Sequence, residues 1–215
     1  MTLLLWLALF ALALAALAAP RVGLLARWRR HRAALAREQA ENALKHLLSQ
    51  AAAGHAASLS SLQGVLRVDD RRLLALTERL EREGLIRTDG TQFRLTAAGE
   101  RAALHVVRAH RLWELYLADE LGVPVGQVHA KAERVEHQLS PADLNRLSAA
   151  MGHPATDPHG DPIPTPDGEM AGVPGTPLSA WAPGTPARIV HLEDEPPLAY
   201  AQLTVDKLTE SIGWI

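Results

Sequence analysis

Apolar positions change their period several times along this chain, and each change marks an element. Thr2 to Ala19 carries no charge and only Thr2 is polar, about the shortest run that crosses a ~30 Å hydrocarbon core. Arg21, Arg27, Arg29, Arg30, Arg32 and Arg37 follow. AALAA within the run offers a signal-peptide cleavage site, but a signal peptide carries its positive charge before the apolar stretch, and here only the amino terminus precedes it. Arginines on the carboxyl side instead predict a single anchor with the body in the cytoplasm, held also by anionic lipid. Beyond them, Leu44, Leu47 and Leu48 give Glu38 to Ala53 one apolar helical face, ended by Gly54. Ser58 to Val65 reads as a short helix capped by Ser58 or Ser60. Asp69 to Glu83 reads as a third, with acids at its start and Leu73, Leu76 and Leu80 as its stripe. LIRT and QFRL around Asp89-Gly90 then predict a β-hairpin over Leu85 to Leu95.

Three helices followed by a two-stranded ribbon is the order of a winged helix-turn-helix; a plain helical packing module is the alternative. A long helix is expected from Thr96 to about Leu121, broken by Gly122 and Pro124, with apolar faces long enough for a dimer interface. A second is expected over Val125 to Leu139. Ser140, Pro141 and Asp143 stand in capping-box order and open another to about Met151. Gly152 to Pro186 is rich in Gly and Pro and reads as an extended linker with little packing of its own. ARIVHL and LAYAQL between Ala187 and Val205 suggest strands of a small barrel that the chain does not complete.

Composition narrows the chemistry. The chain has 215 residues, room for one or two small domains, and a net charge of −2 that gives no general affinity for polyanions. From Glu41 to Leu95, eight basic against seven acidic residues leave +1, thin for tight DNA binding. There is no cysteine, so disulfides, iron–sulfur clusters and thiolate zinc sites are excluded, and His, Asp and Glu remain as ligands. No glycine-rich phosphate loop, nucleophile elbow or H-E-x-x-H is present.

On a helix, His129, Glu133, Glu136 and His137 at i, i+4, i+7 and i+8 project from one face. His110 and Glu114 make a second i, i+4 pair one helix earlier. A single such pair is usually a solvated face, but two on neighbouring helices suit a first-row divalent metal. Asp157 and His159 in DPHGDPIP are read first as shaping turns, with metal ligation as the alternative.

The stretch from GLIRTDGTQFRL through RAHRLWELYL and VHAKAERVEH to GHPATDPHGDPIP resembles the iron-dependent repressors of the diphtheria toxin repressor and manganese transport regulator family, over roughly Glu38 to Pro164. The resemblance implies a mainly α protein: a winged helix-turn-helix, a helical metal-binding and dimerisation domain, a proline-rich linker and a partial SH3-like β segment. It places metal ligands on His110, Glu114, His129, Glu133, Glu136 and His137. Glu133 stands where the iron-sensing branch has cysteine, and a hard oxygen there leans toward Mn²⁺, then Fe²⁺, with Zn²⁺ also accommodated. The first helix of the family donates a Met or Asp ligand; the matching residue is Asn42, and the adjacent Glu41 is expected to point elsewhere. Arg71, Arg72, Arg87 and Arg94 are the expected DNA contacts, although Leu74 and Ala75 replace polar residues of the recognition helix.

The expected division is an anchor over 1–19, a basic segment over 20–37, a winged helix over 38–98, a metal and dimer domain over 99–153, a linker over 154–186 and a β segment over 187–215. Two functions follow. One is a homodimeric, metal-dependent transcriptional regulator that binds double-stranded DNA, anchored to the inner membrane with a cytoplasmic body. The other is a membrane-tethered metal sensor that serves a metal-transporter partner and does not bind DNA. An enzyme is not expected, because paired carboxylates in this pattern ligate metal.

Overall fold

The computed structural model describes residues 5–7, 9, 10, 23–173, 175, 176, 180 and 188–191. The expected anchor, Thr2 to Ala19, and the strands of 187–205 lie largely outside them. Among the described residues, no helix is long and apolar enough to cross a membrane. Ile189 to His191, described within the expected β segment, are not in a strand.

The first helix, α1 (Leu24–Ala52), has 29 residues and begins well before the expected Glu38. Its sequence explains the extension: no glycine, proline or β-branched residue interrupts it, and alanine, leucine and arginine dominate its first half. Only its second half is buried, through Ala40, Ala43, Leu44 and Leu47.

After α1, β1 (Ala57–Ser58) leads into α2 (Leu59–Leu66) and α3 (Asp70–Arg82). Ser58 and Ser61 form a reciprocal capping box for α2, and the Asp69 carboxylate accepts from Arg72 N at 2.9 Å to cap α3. The hairpin is β2 (Ile86–Asp89) and β3 (Gln92–Leu95), with β1 added to β3 as a third antiparallel strand not foreseen from the sequence. Leu44, Leu47, Leu62, Leu73, Leu80, Ile86 and Ala103 form one core beneath these elements, each almost fully removed from water.

Helix α4 (Ala97–Asp119) carries this unit into the next. Thr96 holds its start: the side chain accepts from Gly99 N at 3.1 Å and donates to Gly84 O at 2.6 Å. Gly99 is required there, since a Cβ would stand 1.9 Å from Leu85 O. Beyond it lie α5 (Val125–Ala132), a 3₁₀ turn (Glu136–Gln138) and α6 (Pro141–Ala150). Ser140, Pro141 and Asp143 cap α6 as the spacing predicts. Ala109, Leu112 and Leu144 make a second core, with Met151 and Ile163 against it.

Two expectations change. The single helix over Val125 to Leu139 ends at Ala132, and i→i+3 bonds from Val135 to Ala132 and from Gln138 to Val135 tighten the chain. That tightening turns Glu136 inward, where its buried carboxylate finds cationic partners. The supposed linker also packs: Asp157 and His159 are buried and Ile163 joins the second core. Arg111 of α4 holds it, donating to Pro162 O at 2.6 Å and to Asp161 Oδ1 at 3.0 Å.

Candidate metal centre

One turn of α4 separates His110 from Glu114, so both side chains leave the helix on the same face, and both are buried. His129 meets them from α5. Its Nδ1 lies 3.0 Å from His110 Nε2 and 3.2 Å from Glu114 Oε1, while His110 Nε2 lies 3.0 Å from the same Glu114 oxygen. Two cis ligands at ~2.1 Å from an octahedral ion stand ~3.0 Å apart. Three donors of the right chemistry therefore already hold the mutual spacing that a divalent ion imposes, and the site fits one.

Glu114 faces a second group with its other oxygen. Oε2 lies 4.0 Å from His159 Nδ1, and Glu114, Asp157 and His159 form a fully buried triad whose donor atoms lie within 4.8 Å of one another. Asp157 does shape the turn, since Oδ1 accepts from His159 N and Asp161 N, both at 2.9 Å. The same turn brings a carboxylate and an imidazole beside Glu114, the arrangement that the alternative reading of DPHGDPIP as a ligand pair requires. The D-x-H spacing was the available signal. Gly160 permits the fold here: its φ is +91°, and a Cβ would stand 2.1 Å from Val190 O.

The remaining expected ligands sit differently. Glu136 is buried and accepts through Oε2 from His110 Nδ1, on the ring edge opposite the triad. His137 Nε2 lies 3.4 Å from Glu136 Oε1, and its Nδ1 lies 2.6 Å from Glu41 Oε2. Glu41 thus points into this cluster, contrary to the expectation that it faces elsewhere; the 3₁₀ turn brings His137 to it. Glu133 stays outside, its side chain 56% exposed and 3.7 Å from His129 Nε2.

Electrostatics follow from burial and pairing. Burial opposes ionisation of Glu114, yet hydrogen bonds to His110 and His129 prevail and hold its carboxyl down at about 2. Glu136 is likewise lowered against its burial, by His110 and Lys45. Burial disfavours the His110 cation, but Glu114 and Glu136 outweigh it and raise the imidazole. Asp157 goes the other way, pushed up to about 6 by burial despite its backbone hydrogen bonds, with Asp161 and Glu114 adding like charge. Glu114 and Glu136 are thus favoured in the ionised form against their burial, the form in which a carboxylate ligates a divalent cation.

Residues 96–165 match the iron-dependent repressor metal-binding and dimerisation domain. A solved manganese-dependent transcriptional repressor in complex with manganese is 32% identical, covers 80% of this chain and 78% of its own, and superposes with a TM-score of 0.62. The chain belongs to the iron-dependent repressor family. Within it, the iron-dependent repressor IdeR of Mycobacterium leprae is 36% identical over 131 residues, which are 54% of this chain and 57% of that protein. This family member therefore spans little more than half the length of that curated relative. A probable metal transport system membrane protein of Chlamydia trachomatis is 40% identical over 83 residues, 39% of this chain and 18% of that protein.

Proposed function

We propose that this chain is a metal-dependent, DNA-binding transcriptional regulator of metal homeostasis. The observation that carries the reading is the ~3 Å mutual spacing of His110 Nε2, Glu114 Oε1 and His129 Nδ1 inside a buried fold. These three would hold Mn²⁺ or Fe²⁺, with Zn²⁺ also accepted by the imidazoles, and Asp157 and His159 stand beside them as further donors. The ion supplies a fixed divalent charge that ties α4, α5 and the 157–159 turn together. Its leverage on DNA equals its preference for that tied conformation over the open one.

The winged helix offers a phosphate-binding face. Arg71 and Arg72 are exposed in the first turn of α3, and Arg72 is 3.3 Å from Asp69. Arg87 stands directly opposite Arg94 across the hairpin, and Arg94 Nε donates to Asp89 Oδ2 at 3.0 Å, so an anionic partner would be met first by Arg87. Leu74, 49% exposed on the same helix, can contact a thymine methyl though not a hydrogen-bonding base edge. Residues 38–98 would form the DNA-binding unit, and 99–153 with the packed turn that follows the metal and dimer unit, acting as a homodimer. Mobility shift against Mn²⁺ and salt tests this: retention that requires Mn²⁺ and weakens steeply with salt supports it, and metal binding without retention contradicts it.

A second reading has its own support. The likeness to part of a metal transport membrane protein, with the uncharged run Thr2 to Ala19, favours an inner-membrane-tethered sensor that serves a transporter. Membrane fractionation of the full chain separates the two, since a tethered sensor sediments with lipid and gives no DNA shift.

A further inference from the structure

Lys45 is a lysine on the metal face of α1. Its Nζ stands 3.3 Å from Glu136 Oε2 and 3.4 Å from His110 Nδ1, with the side chain only 28% exposed. Glu136 is 1% exposed at its side chain, so its carboxylate has left water and needs a cation. The ammonium stands beside the directly bonded His110–Glu136 pair, within reach of both groups, so the positive charge that this buried carboxylate needs comes from Lys45. The other donors nearby are engaged by α1 as well. His137 Nδ1 meets Glu41, Glu41 lies 3.8 Å from Arg37 Nε, and Arg37 Nη2 donates to His137 O at 2.7 Å. Arg37, Glu41 and Lys45 are spaced by four along α1, so one helical edge lies along the turn that carries Glu136 and His137.

We propose that the Lys45 ammonium is the resident cation of the Glu136–His137 half of this cluster and takes the place of a divalent ion there. The inference rests on the metal-centre reading above, which puts the ion at the opposite edge of His110. Lys45 and a metal ion cannot share the half-site, because like charges a few ångströms apart in a buried pocket repel strongly. The chain thus fastens α1 to the 136–138 turn with its own charge, whether or not metal is present. Metal acts only at the His110–Glu114–His129 edge, and its effect reaches α1 through the shared His110 ring.

Counting bound Mn²⁺ on the full chain, by the loss of the free-ion electron paramagnetic resonance signal, tests this. In the wild-type background His137→Ala is expected to change neither the number of ions bound nor their affinity by more than about threefold. Lys45→Glu, which removes the cation and adds a carboxylate, is expected to bind one more ion per chain. That extra ion is expected to disappear in the Lys45→Glu/His137→Ala double variant. Lys45→Gln controls for side-chain length, and circular dichroism melts confirm that each variant folds. Loss of an ion in His137→Ala alone, or no gain in Lys45→Glu, overturns the proposal while leaving the His110–Glu114–His129 centre standing. A wild-type chain that binds no Mn²⁺ overturns both.

Discussion

Glu114 Oε1 lies 3.0 Å from His110 Nε2 and 3.2 Å from His129 Nδ1, so one buried carboxylate oxygen joins two helices. Glu114→Gln keeps the size and removes the charge. Isothermal titration with Mn²⁺ is expected to show affinity falling by more than about tenfold, since loss of even an outer partner of a metal ligand costs that much. Retained affinity would remove Glu114 from the centre.

Glu133 provides the contrast. With its side chain 56% exposed and beyond hydrogen-bond reach of His129, Glu133→Ala is expected to leave Mn²⁺ affinity within about threefold of wild type. A loss of tenfold or more would mean that metal draws this side chain inward from its position here.

Asp157 makes metal-free stability depend on pH. Its carboxyl is raised from 3.8 to about 6, so its contribution is fully present below pH 3.8 and is lost as pH rises through 6. The lowered Glu114, at about 2, contributes stability above pH 4.5 that is lost only as pH falls toward 2, so it does not compete in this window. Urea melts in chelator at pH 5 and pH 7 are expected to show Asp157→Asn cutting the wild-type decline by about 1 kcal/mol. An unchanged decline would show that Asp157 titrates normally.

Arg111 pins the 157–165 segment to α4 through Pro162 O and Asp161. Removing it leaves a carbonyl and a carboxylate without their partner, so Arg111→Ala is expected to cost about 1–3 kcal/mol. It is also expected to speed proteolysis between 155 and 165. A cleavage pattern like that of the wild type would show that Ile163 packing alone holds the segment.

Much of this was legible in residue pattern because local signals are local physics. Ser58, Asp69, Thr96 and Ser140 cap helices within one residue of where their neighbours predict. Asp89-Gly90 makes the hairpin turn. Of the candidate ligands, the i, i+4 spacing of His110 and Glu114 was readable, and His129 of α5 lies within about 3 Å of both. Tertiary packing decided the rest. Helical spacing put Glu133, Glu136 and His137 on one face, but α5 stops at Ala132, so that spacing no longer applies. Glu41 was expected to point elsewhere because it stands one residue from Asn42 on the helix, and its partner His137, 96 residues on, is brought to it only by the 3₁₀ turn. Composition marked DPHGDPIP as linker, and contacts remote in sequence, the Arg111 bonds and the packing of Ile163, hold the segment against α4 with Asp157 and His159 buried.

The central claim is that His110, Glu114 and His129 share one divalent ion, and anomalous scattering from a crystal grown with Mn²⁺ tests it most directly. The expected result is a peak within coordination distance of His110 Nε2, a Glu114 oxygen and a His129 ring nitrogen. A peak confined to Glu136 and His137, or no peak on α4 at saturating Mn²⁺, would contradict it.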